Sequence, residues 1–326
     1  MKKEEIQDIL ACLSNYRAKF YYFRGRYALI LLSYAVGKGR GIHEIKSSRF
    51  CQLLHKPLAR KITRTLGEGF LTPEAIGAVW PSRYHCYLLT LGCWGGREPW
   101  ARFYNQTSRP GWNLVLHLNF SSRHNQAYNA LLKPDAAGPF KCDAHPIAEG
   151  KDHTLAWARL DLDMDSGEAL IEEIQTDWIR MALESRKVLE AYEKNPHANR
   201  LYRRHRYIDT LGCDSKALAR YLDYILKPHV RLWDEAMLAS AIWFLREEIG
   251  MLKIFYHAFD FGCRIKRISG YKPPRSLYTK LPERFCFQKT SQPPDFLLRK
   301  NNRKMIHLLK SRDQTFYLLD FTRNMI

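Results

Sequence analysis

The chain has few acidic residues for its size, since 33 aspartates and glutamates face 52 lysines and arginines, which gives a net charge of +19 over 326 residues. It also lacks a long apolar run, because the longest, Tyr27–Val36, is about half of the ~20 residues that a membrane span needs. The N-terminal segment MKKEEIQDIL is acidic and amphipathic, unlike a signal peptide. We therefore expect a cytoplasmic protein that does not act at a membrane.

The eight cysteines occur singly, without a C-x-x-C pair or zinc-finger histidine spacing. No metal site is assigned on this pattern, and the thiols are expected to be buried in a reducing compartment. Walker, Rossmann, G-x-S-x-G and H-E-x-x-H patterns are also missing, which argues against the commonest nucleotide-binding and hydrolase classes.

The positive charge instead indicates the class of partner. Polyanions are favoured, first among them nucleic acid in the form of tRNA, other RNA or DNA. An acidic protein partner or a role in solubility is the alternative.

Residues 1–75 carry 14 of the Lys+Arg and 6 of the Asp+Glu residues and show helical apolar spacing. We predict helices over 3–22, 27–36 and 57–66, with shorter ones between. The region is interpreted either as a helix-turn-helix module or as a basic helical cap on a larger domain. Three cations of its last helix are assigned to nucleic-acid binding: Arg60, Lys61 and Arg64.

Residues 76–295 are predicted to form an α+β core with a mixed, largely antiparallel sheet, packed helices and a helical insert at about 179–232. A hairpin turn is expected at 165–167. The segment 296–326 is a basic tail with a candidate edge strand at 316–321.

The insert contains the sequence RLYRRHRY, in which aromatic residues alternate with cations. Rings can stack on bases while cations contact phosphates. The alternative interpretation of this segment is a solvated helix end. The residues assigned to nucleic-acid binding here are Arg203, Arg204, Arg206 and Tyr207.

The segment ALIEEIQTDW places Glu173, Gln175 and Asp177 on one face of a predicted strand and Glu172 on the other. A buried carboxylate is costly unless it is paired, so this face is expected to meet a cleft or a partner. Glu173 and Asp177 are candidates for a catalytic base, or for orienting one. The alternative is a solvent-exposed strand near a sheet end.

The same segment resembles an I-E-E-I-Q-S-D-W motif of large polyvalent proteins from phages and mobile elements. The later segments LWDEAMLASAIWFLREEIG and MLKIFYHAF match the helix and strand that follow it in those proteins. Thr176 replaces the motif serine. The resemblance implies no specific activity, and Gln175, Trp178 and Trp233 are assigned to substrate binding on it.

A second resemblance, to the GNAT-type acyltransferase fold, is carried by RSLYTKLPERFCF. It implies a GNAT-like C-terminal half in which Tyr278 protonates a leaving group, with Arg275 and Lys280 in substrate binding. It would also imply acetyl-coenzyme A. The pyrophosphate loop of that family is not evident between Trp178 and Trp233, as in relatives that take an aminoacyl group from tRNA.

The residues Asp161, Asp163 and Asp165 form a D-x-D-x-D run that would suit a divalent metal, or else the polar face of a hairpin. Three hypotheses follow. The first is a group-transfer enzyme, acyl or aminoacyl, acting on nucleic acid, with tRNA favoured. The second is a non-catalytic nucleic-acid-binding protein, and the third is a metal-dependent nuclease.

Overall fold

The predicted α+β class is confirmed by the computed structural model, in which helices pack on a mostly antiparallel sheet of eight strands. The structure describes residues 1–67, 69–96, 106–135, 138–148, 150, 152–195, 210–270, 272–299, 303–311 and 313–322. Within these ranges, no helix combines the length and apolar character that crossing a bilayer requires.

The main sheet has the strand order β1-β4-β5-β6-β7-β8-β10-β9, and β2 and β3 form a separate two-stranded ribbon. The pair β7–β8 is parallel, whereas the other neighbours are antiparallel. The strands are β1 (Ala18–Tyr22), β2 (Arg40–Gly41), β3 (Phe70–Leu71), β4 (His85–Gly96), β5 (Gly111–Asn119), β6 (Thr154–Asp163), β7 (Glu168–Gln175), β8 (Lys253–His257), β9 (Gln288–Thr290) and β10 (Phe316–Asp320).

The first helix precedes β1, and the other helices lie between the strands along the chain. They are α1 (Lys3–Cys12), α2 (Arg26–Val36), α3 (Ile42–Lys46), α4 (Cys51–Leu54), α5 (Pro57–Leu66), α6 (Pro73–Gly77), α7 (Ser122–Leu132), α8 (Asp177–Lys194), α9 (Ser215–Arg220), α10 (Lys227–Val230), α11 (Trp233–Trp243), α12 (Phe259–Ile265), α13 (Lys280–Arg284), α14 (Asp295–Arg299) and α15 (Arg303–Leu309). Wider π-helical turns follow α9 at Tyr221–Leu226 and α11 at Phe244–Glu248, and a 3₁₀ turn spans Arg275–Tyr278.

Helix α11 crosses the middle of the sheet and packs against β5, β6 and β7. It is apolar nearly all round, and residues 235–242 are buried, because α2 packs against it as well. The main core therefore lies around α11. A smaller apolar cluster, which includes Leu170, Phe255 and Phe296, lies apart from it between β7, β8 and α14.

The N-terminal region is not the purely helical module that was predicted. The expected helix over 3–22 ends at Cys12, and Ala18–Tyr22 pair with β4 as the edge strand of the main sheet. Phe20 and Tyr22 are buried while Lys19 and Tyr21 are not, so the alternation of a half-buried strand overrides the helical pattern.

The hairpin at 165–167 is confirmed, and its first strand is buried on both faces although apolar residues and aspartates alternate along it. Every residue of β6 is buried, because β6 is a central strand with layers on both faces. Gly167 has φ +64, a left-handed conformation that suits the turn. The segment Phe316–Asp320 is likewise no edge strand, since it pairs with both β8 and β9.

After the hairpin the chain forms helices, then β8, then α12, the 3₁₀ turn and α13, and then β9. The ladder between β7 and β8 covers only Glu168–Ile171 and Lys253–Tyr256, while β7 continues to Gln175. Polar side chains cluster where this ladder ends.

Candidate active site

The end of β7 carries three of the predicted site residues into one neighbourhood. Glu173 and Gln175 are on the strand, and Asp177 begins α8 after Thr176, whose hydroxyl caps the helix by accepting from the Ile179 N–H. Gln175 Nε2 donates to Asp177 Oδ1 at 2.8 Å. The predicted common face of Glu173, Gln175 and Asp177 thus lies at the junction of strand and helix.

A β-bulge changes the prediction for Glu172. Arg159 faces Glu173 across the β6–β7 ladder, but Leu160 faces Ile171, so Glu172 is the additional residue on β7. A bulge alters the direction of side chains locally. The fields of Arg159 and Lys266 therefore lower the pKa of both glutamates, although alternation had placed these side chains on opposite faces.

The first cluster at this site is a buried set of charges. The Arg159 guanidinium donates to the Glu173 carboxylate, and both residues are at most 8% exposed. Lys266 is buried too, and its Nζ donates to the Glu172 carbonyl at 2.9 Å where the β7–β8 ladder ends. Burial opposes the ionisation of Glu173, but the two cations outweigh it and lower its pKa. A carboxylate held in this way is a weak base.

Glu172 has partners of its own. Its Oε2 lies 3.0 Å from His257 Nε2 and accepts from Ser108 Oγ at 2.8 Å, and its Oε1 accepts from the Ser108 N–H. Burial would raise the pKa of Glu172, but His257 and the nearby cations lower it to about 2. All three residues are completely buried, so this group supports the fold from within.

Tyr278, the predicted proton donor, lies within the same buried region. Its ring stacks on Tyr256 with centroids 5.3 Å apart, and neither hydroxyl has a hydrogen-bond partner among the described residues. Burial raises the pKa of Tyr278 well above its usual value, with a further contribution from Glu173, so the hydroxyl stays protonated. The structure therefore brings two of the three predicted catalytic residues, Glu173 and Tyr278, together.

Asp177 belongs to a second cluster on the more open side of this junction. Its Oδ1 accepts from Arg180 at 2.6 Å and lies 2.8 Å from His145 Nδ1, and its Oδ2 accepts from Trp157 Nε1 at 3.0 Å. Asp177 is buried, whereas the side chain of His145 is 30% exposed. Four donors, counting Gln175, thus hold this carboxylate in place.

His145 also contacts a cysteine. Cys142 and His145 lie on one turn, closed by a 3.0 Å hydrogen bond from the His145 N–H to the Cys142 carbonyl. One potential ligand atom each from Cys142, His145 and Asp177 lie within 4.8 Å of one another. Sequence reasoning missed both Cys142 and His145. Their spacing of three residues in a loop is the one signal in the sequence that could have indicated them.

Each member of this cluster shifts the titration of the others. Hydrogen bonds with Asp177 and Cys142 raise the pKa of His145 to about 9. The hydrogen bond from His145 lowers the pKa of Cys142, against the effect of burial. Both shifts are in the direction of a thiolate beside an imidazolium, which is the charge state of an activated cysteine.

Several residues assigned to substrate binding lie elsewhere. Trp178 is 2% exposed and donates from Nε1 to the Tyr221 hydroxyl at 2.7 Å, so it belongs to the core and not to a binding surface. Trp233 is partly buried against the main core. Arg275 is exposed and paired with Asp260 at 3.0 Å, and Lys280 is exposed at the start of α13.

The aspartate run does not form the metal site that a nuclease would need. Arg109 donates to both carboxylate oxygens of Asp161, at 2.7 and 2.6 Å, and Arg299 donates to Asp163 at 2.9 Å. Asp165 is exposed in the turn. Cationic side chains, and not an ion, therefore compensate the two buried aspartates.

Coenzyme A does not fit the residues after β7. Its pyrophosphate would need free N–H groups at the N-terminus of α8. There the Thr176 hydroxyl caps the Ile179 N–H, and the carboxylate of Asp177 occupies the first turn. A second anion would be repelled here, so the N-terminus of α8 does not fit the pyrophosphate.

The predicted nucleic-acid residues divide between two regions. Arg60, Lys61 and Arg64 are exposed on α5. Arg203, Arg204, Arg206 and Tyr207 lie outside the described residues. Comparison with protein-family models, with curated proteins and with solved structures finds no match to this chain.

Proposed function

We propose that this protein binds nucleic acid through α5, and that its preferred form is duplex DNA. The observation that carries the proposal is the exposed face of α5, which has three cations and no acidic residue. No described residue forms an ion pair with Arg60, Lys61 or Arg64. Their charge is therefore available to phosphates.

The surroundings of α5 support this role. Helix α4 ends at Leu54, and two residues separate it from Pro57 at the start of α5. Helices α2, α3 and α6 pack around this pair. Ala59 and Ile62 anchor the inner face of α5. The pair consists of two short helices joined by a tight turn, and the exposed face of the second helix is basic. Helix-turn-helix proteins present a helix to DNA in this arrangement.

Duplex DNA is preferred over duplex RNA because of groove dimensions. A helix with side chains is about 10–12 Å across, which the major groove of B-form DNA admits. The major groove of A-form RNA is too deep and narrow for side chains to read. The net charge of +19 adds attraction that does not depend on nucleic-acid form.

The test is a salt titration with the triple variant Arg60→Ala, Lys61→Ala, Arg64→Ala. We expect affinity for duplex DNA to fall about 10-fold or more, and the slope of log K against log salt to flatten by about 2.7, since each lost phosphate contact removes about 0.9. Fluorescence anisotropy at several salt concentrations measures both.

A matched control replaces three exposed helical lysines elsewhere, Lys187, Lys216 and Lys227, by alanine. It removes the same charge from other surfaces, and we expect it to change the slope little. If the α5 variant keeps the slope of the unmodified chain, α5 does not carry the binding. Equal affinity for duplex RNA would argue against groove recognition.

A second candidate function is group transfer at the end of β7. The observation that favours it is the protonated Tyr278 hydroxyl, buried beside Glu173 without a described partner. The alternation of β7, helices, β8, short helices and β9 also supports the GNAT-like arrangement implied by the resemblance. In this hypothesis Tyr278 donates a proton to the leaving group, and Glu173 acts as a fixed negative charge beside it.

This candidate predicts that Tyr278→Phe lowers transfer about 100-fold or more, the typical effect of losing a general acid. Glu173→Gln is expected to abolish transfer and leave nucleic-acid binding unchanged. Release of a labelled aminoacyl group from tRNA measures transfer, and fluorescence anisotropy measures nucleic-acid binding. Glu190→Gln, on the exposed face of α8, is the control. Full activity of both site variants would contradict the assignment.

A further inference from the structure

The loop before β6 contains a second polar group, made of Cys142 and His145 together with Asp177 of α8. We propose that Cys142 is the nucleophile of a Cys–His–Asp centre that accepts an acyl group from an activated ester or thioester. This proposal goes beyond nucleic-acid binding. It would also supply the group-transfer candidate with a covalent step, although it does not depend on Tyr278.

The arrangement has the three parts that an activated cysteine needs. A thiol and an imidazole lie on one turn, and a buried carboxylate 2.8 Å from His145 Nδ1 orients the ring. The carboxylate is itself fixed, because Trp157 and Gln175 both donate to it. The centre is thus held by β6, the end of β7 and the start of α8.

A metal ion would be a different use of the same three residues. The hydrogen bonds of Asp177 argue against it, because Oδ1 already accepts from Gln175 and Arg180 and Oδ2 accepts from Trp157. The guanidinium of Arg180 lies 2.6 Å from the oxygen that a cation would need. A carboxylate saturated by donors, one of them cationic, is suited to orienting an imidazolium.

The centre is reachable from solvent at His145, whose side chain is 30% exposed. A cavity of about 500 Å³ begins immediately after it along the chain, at Pro146 and Ile147, and extends to Arg17 and His117. Cys142 is at the boundary of burial, with 9% exposure. The exposed part of the His145 side chain is the route by which an ester donor would reach the centre.

The proposed step balances within these residues. The Cys142 thiolate attacks the carbonyl carbon, a carbon–sulfur bond forms, and the bond from that carbon to the leaving oxygen or sulfur breaks. The His145 imidazolium gives its proton to the leaving group. Neutral His145 then takes a proton from an acceptor hydroxyl, amine or water, which attacks the thioester, breaks the carbon–sulfur bond and restores the thiolate.

The first measurement is alkylation of the intact chain by iodoacetamide, with each cysteine followed by peptide mass spectrometry. We expect Cys142 to react at pH 6.5 about 10-fold faster than Cys12 and Cys93, which are exposed and serve as internal controls. Its alkylation rate should fall at a lower pH than that of an ordinary thiol, because the contact with His145 lowers the pKa of the Cys142 thiol. The charged groups around it are His145, Asp177, Glu173 and Arg180.

The second measurement uses p-nitrophenyl acetate as the acyl donor, without nucleic acid. We expect a burst of about one equivalent of p-nitrophenolate and an acetyl group on the Cys142 peptide. His145→Gln should abolish the burst, and Asp177→Asn should reduce it about 10-fold or more by freeing the ring. Cys12→Ser, at the exposed end of α1, is the control and should keep the burst.

Two results would overturn the proposal. The first is Cys142 reacting no faster than Cys12 in the unmodified chain, an outcome that does not depend on any variant folding. The second is stoichiometric binding of Zn²⁺ that protects Cys142 from iodoacetamide, which would make the cluster a metal site. Because neither assay contains nucleic acid, failure here leaves the role of α5 untouched.

Discussion

Arg159→Met is expected to lower the free energy of unfolding by about 3–5 kcal/mol. The substitution leaves the Glu173 carboxylate buried without its direct partner, and the neighbouring Glu172 carboxylate loses part of the positive field that lowers its pKa. Lys266 remains, but it donates to the Glu172 carbonyl and not to Glu173. Urea unfolding followed by circular dichroism measures the change.

The double variant Arg159→Met, Glu173→Leu is the control. It removes both charges and keeps the volume apolar, so we expect much of the lost stability to return. The coupling between the two sites should then be several kcal/mol, as for residues in direct contact. Additive losses would show that Arg159 acts mainly through other contacts, such as its hydrogen bond to the Gln106 carbonyl.

This pair also bears on the interpretation of Glu173. A general base needs a pKa near the working pH, whereas Arg159 and Lys266 hold the pKa of Glu173 below its usual value. The pair therefore favours Glu173 as a fixed charge in the group-transfer candidate. His145, with its pKa raised to about 9 and its ring partly exposed, is better suited to move a proton at this end of the sheet.

The pKa shifts of His145 and Glu172 predict how the stability of the folded protein depends on pH. His145 has a folded pKa above its ordinary value of 6.5, so its contribution to stability is complete below pH 6.5 and is lost as the pH rises through about 9. Glu172 has a folded pKa of about 2 against 4.5, so its contribution is complete above pH 4.5 and is lost as the pH falls toward 2.

The sequence predicted element order well where periodicity and turns agree. The hairpin lies at the expected residues 165–167, and α11 and β8 lie in the two segments that match the helix and strand after the motif. The prediction from sequence was wrong at Ala18–Tyr22, where the helical apolar pattern continues into residues that form a short aromatic strand. Local pattern cannot show that β4 offers a free edge there, because that pairing is a tertiary contact.

The site was predicted in part for a similar reason. The concentration of polar residues at Glu173, Gln175 and Asp177 is visible in the sequence, because such a face does not build a core. The bulge at Glu172 is not visible, and neither is the approach of Cys142 and His145, which lie more than 30 residues before Asp177. Contacts between distant segments depend on how the loop before β6 folds back.

The largest loss of stability from a single large-to-small change is expected for Trp178→Ala, at about 3–5 kcal/mol. The motif resemblance suggested that Trp178 binds substrate, but the ring lies among other aromatic rings. Its centroid is 4.8 Å from that of Tyr128, 5.3 Å from Phe120 and 5.4 Å from Phe140. Truncation would leave a cavity at the point where α7, α8 and the sheet meet.

Two conservative variants separate this structural role from a binding role. Trp178→Phe keeps most of the ring and loses the 2.7 Å hydrogen bond to the Tyr221 hydroxyl, and Tyr221→Phe loses the same bond from the other side. We expect each to cost about 1–3 kcal/mol in thermal or urea unfolding. Tyr221→Phe leaves the buried Trp178 Nε1–H unpaired, whereas Trp178→Phe removes buried aromatic volume and the Tyr221 hydroxyl keeps its 3.1 Å contact with His124 Nε2. If Trp178→Phe instead weakens ligand binding at unchanged stability, the tryptophan is reached by substrate and the framework interpretation is wrong.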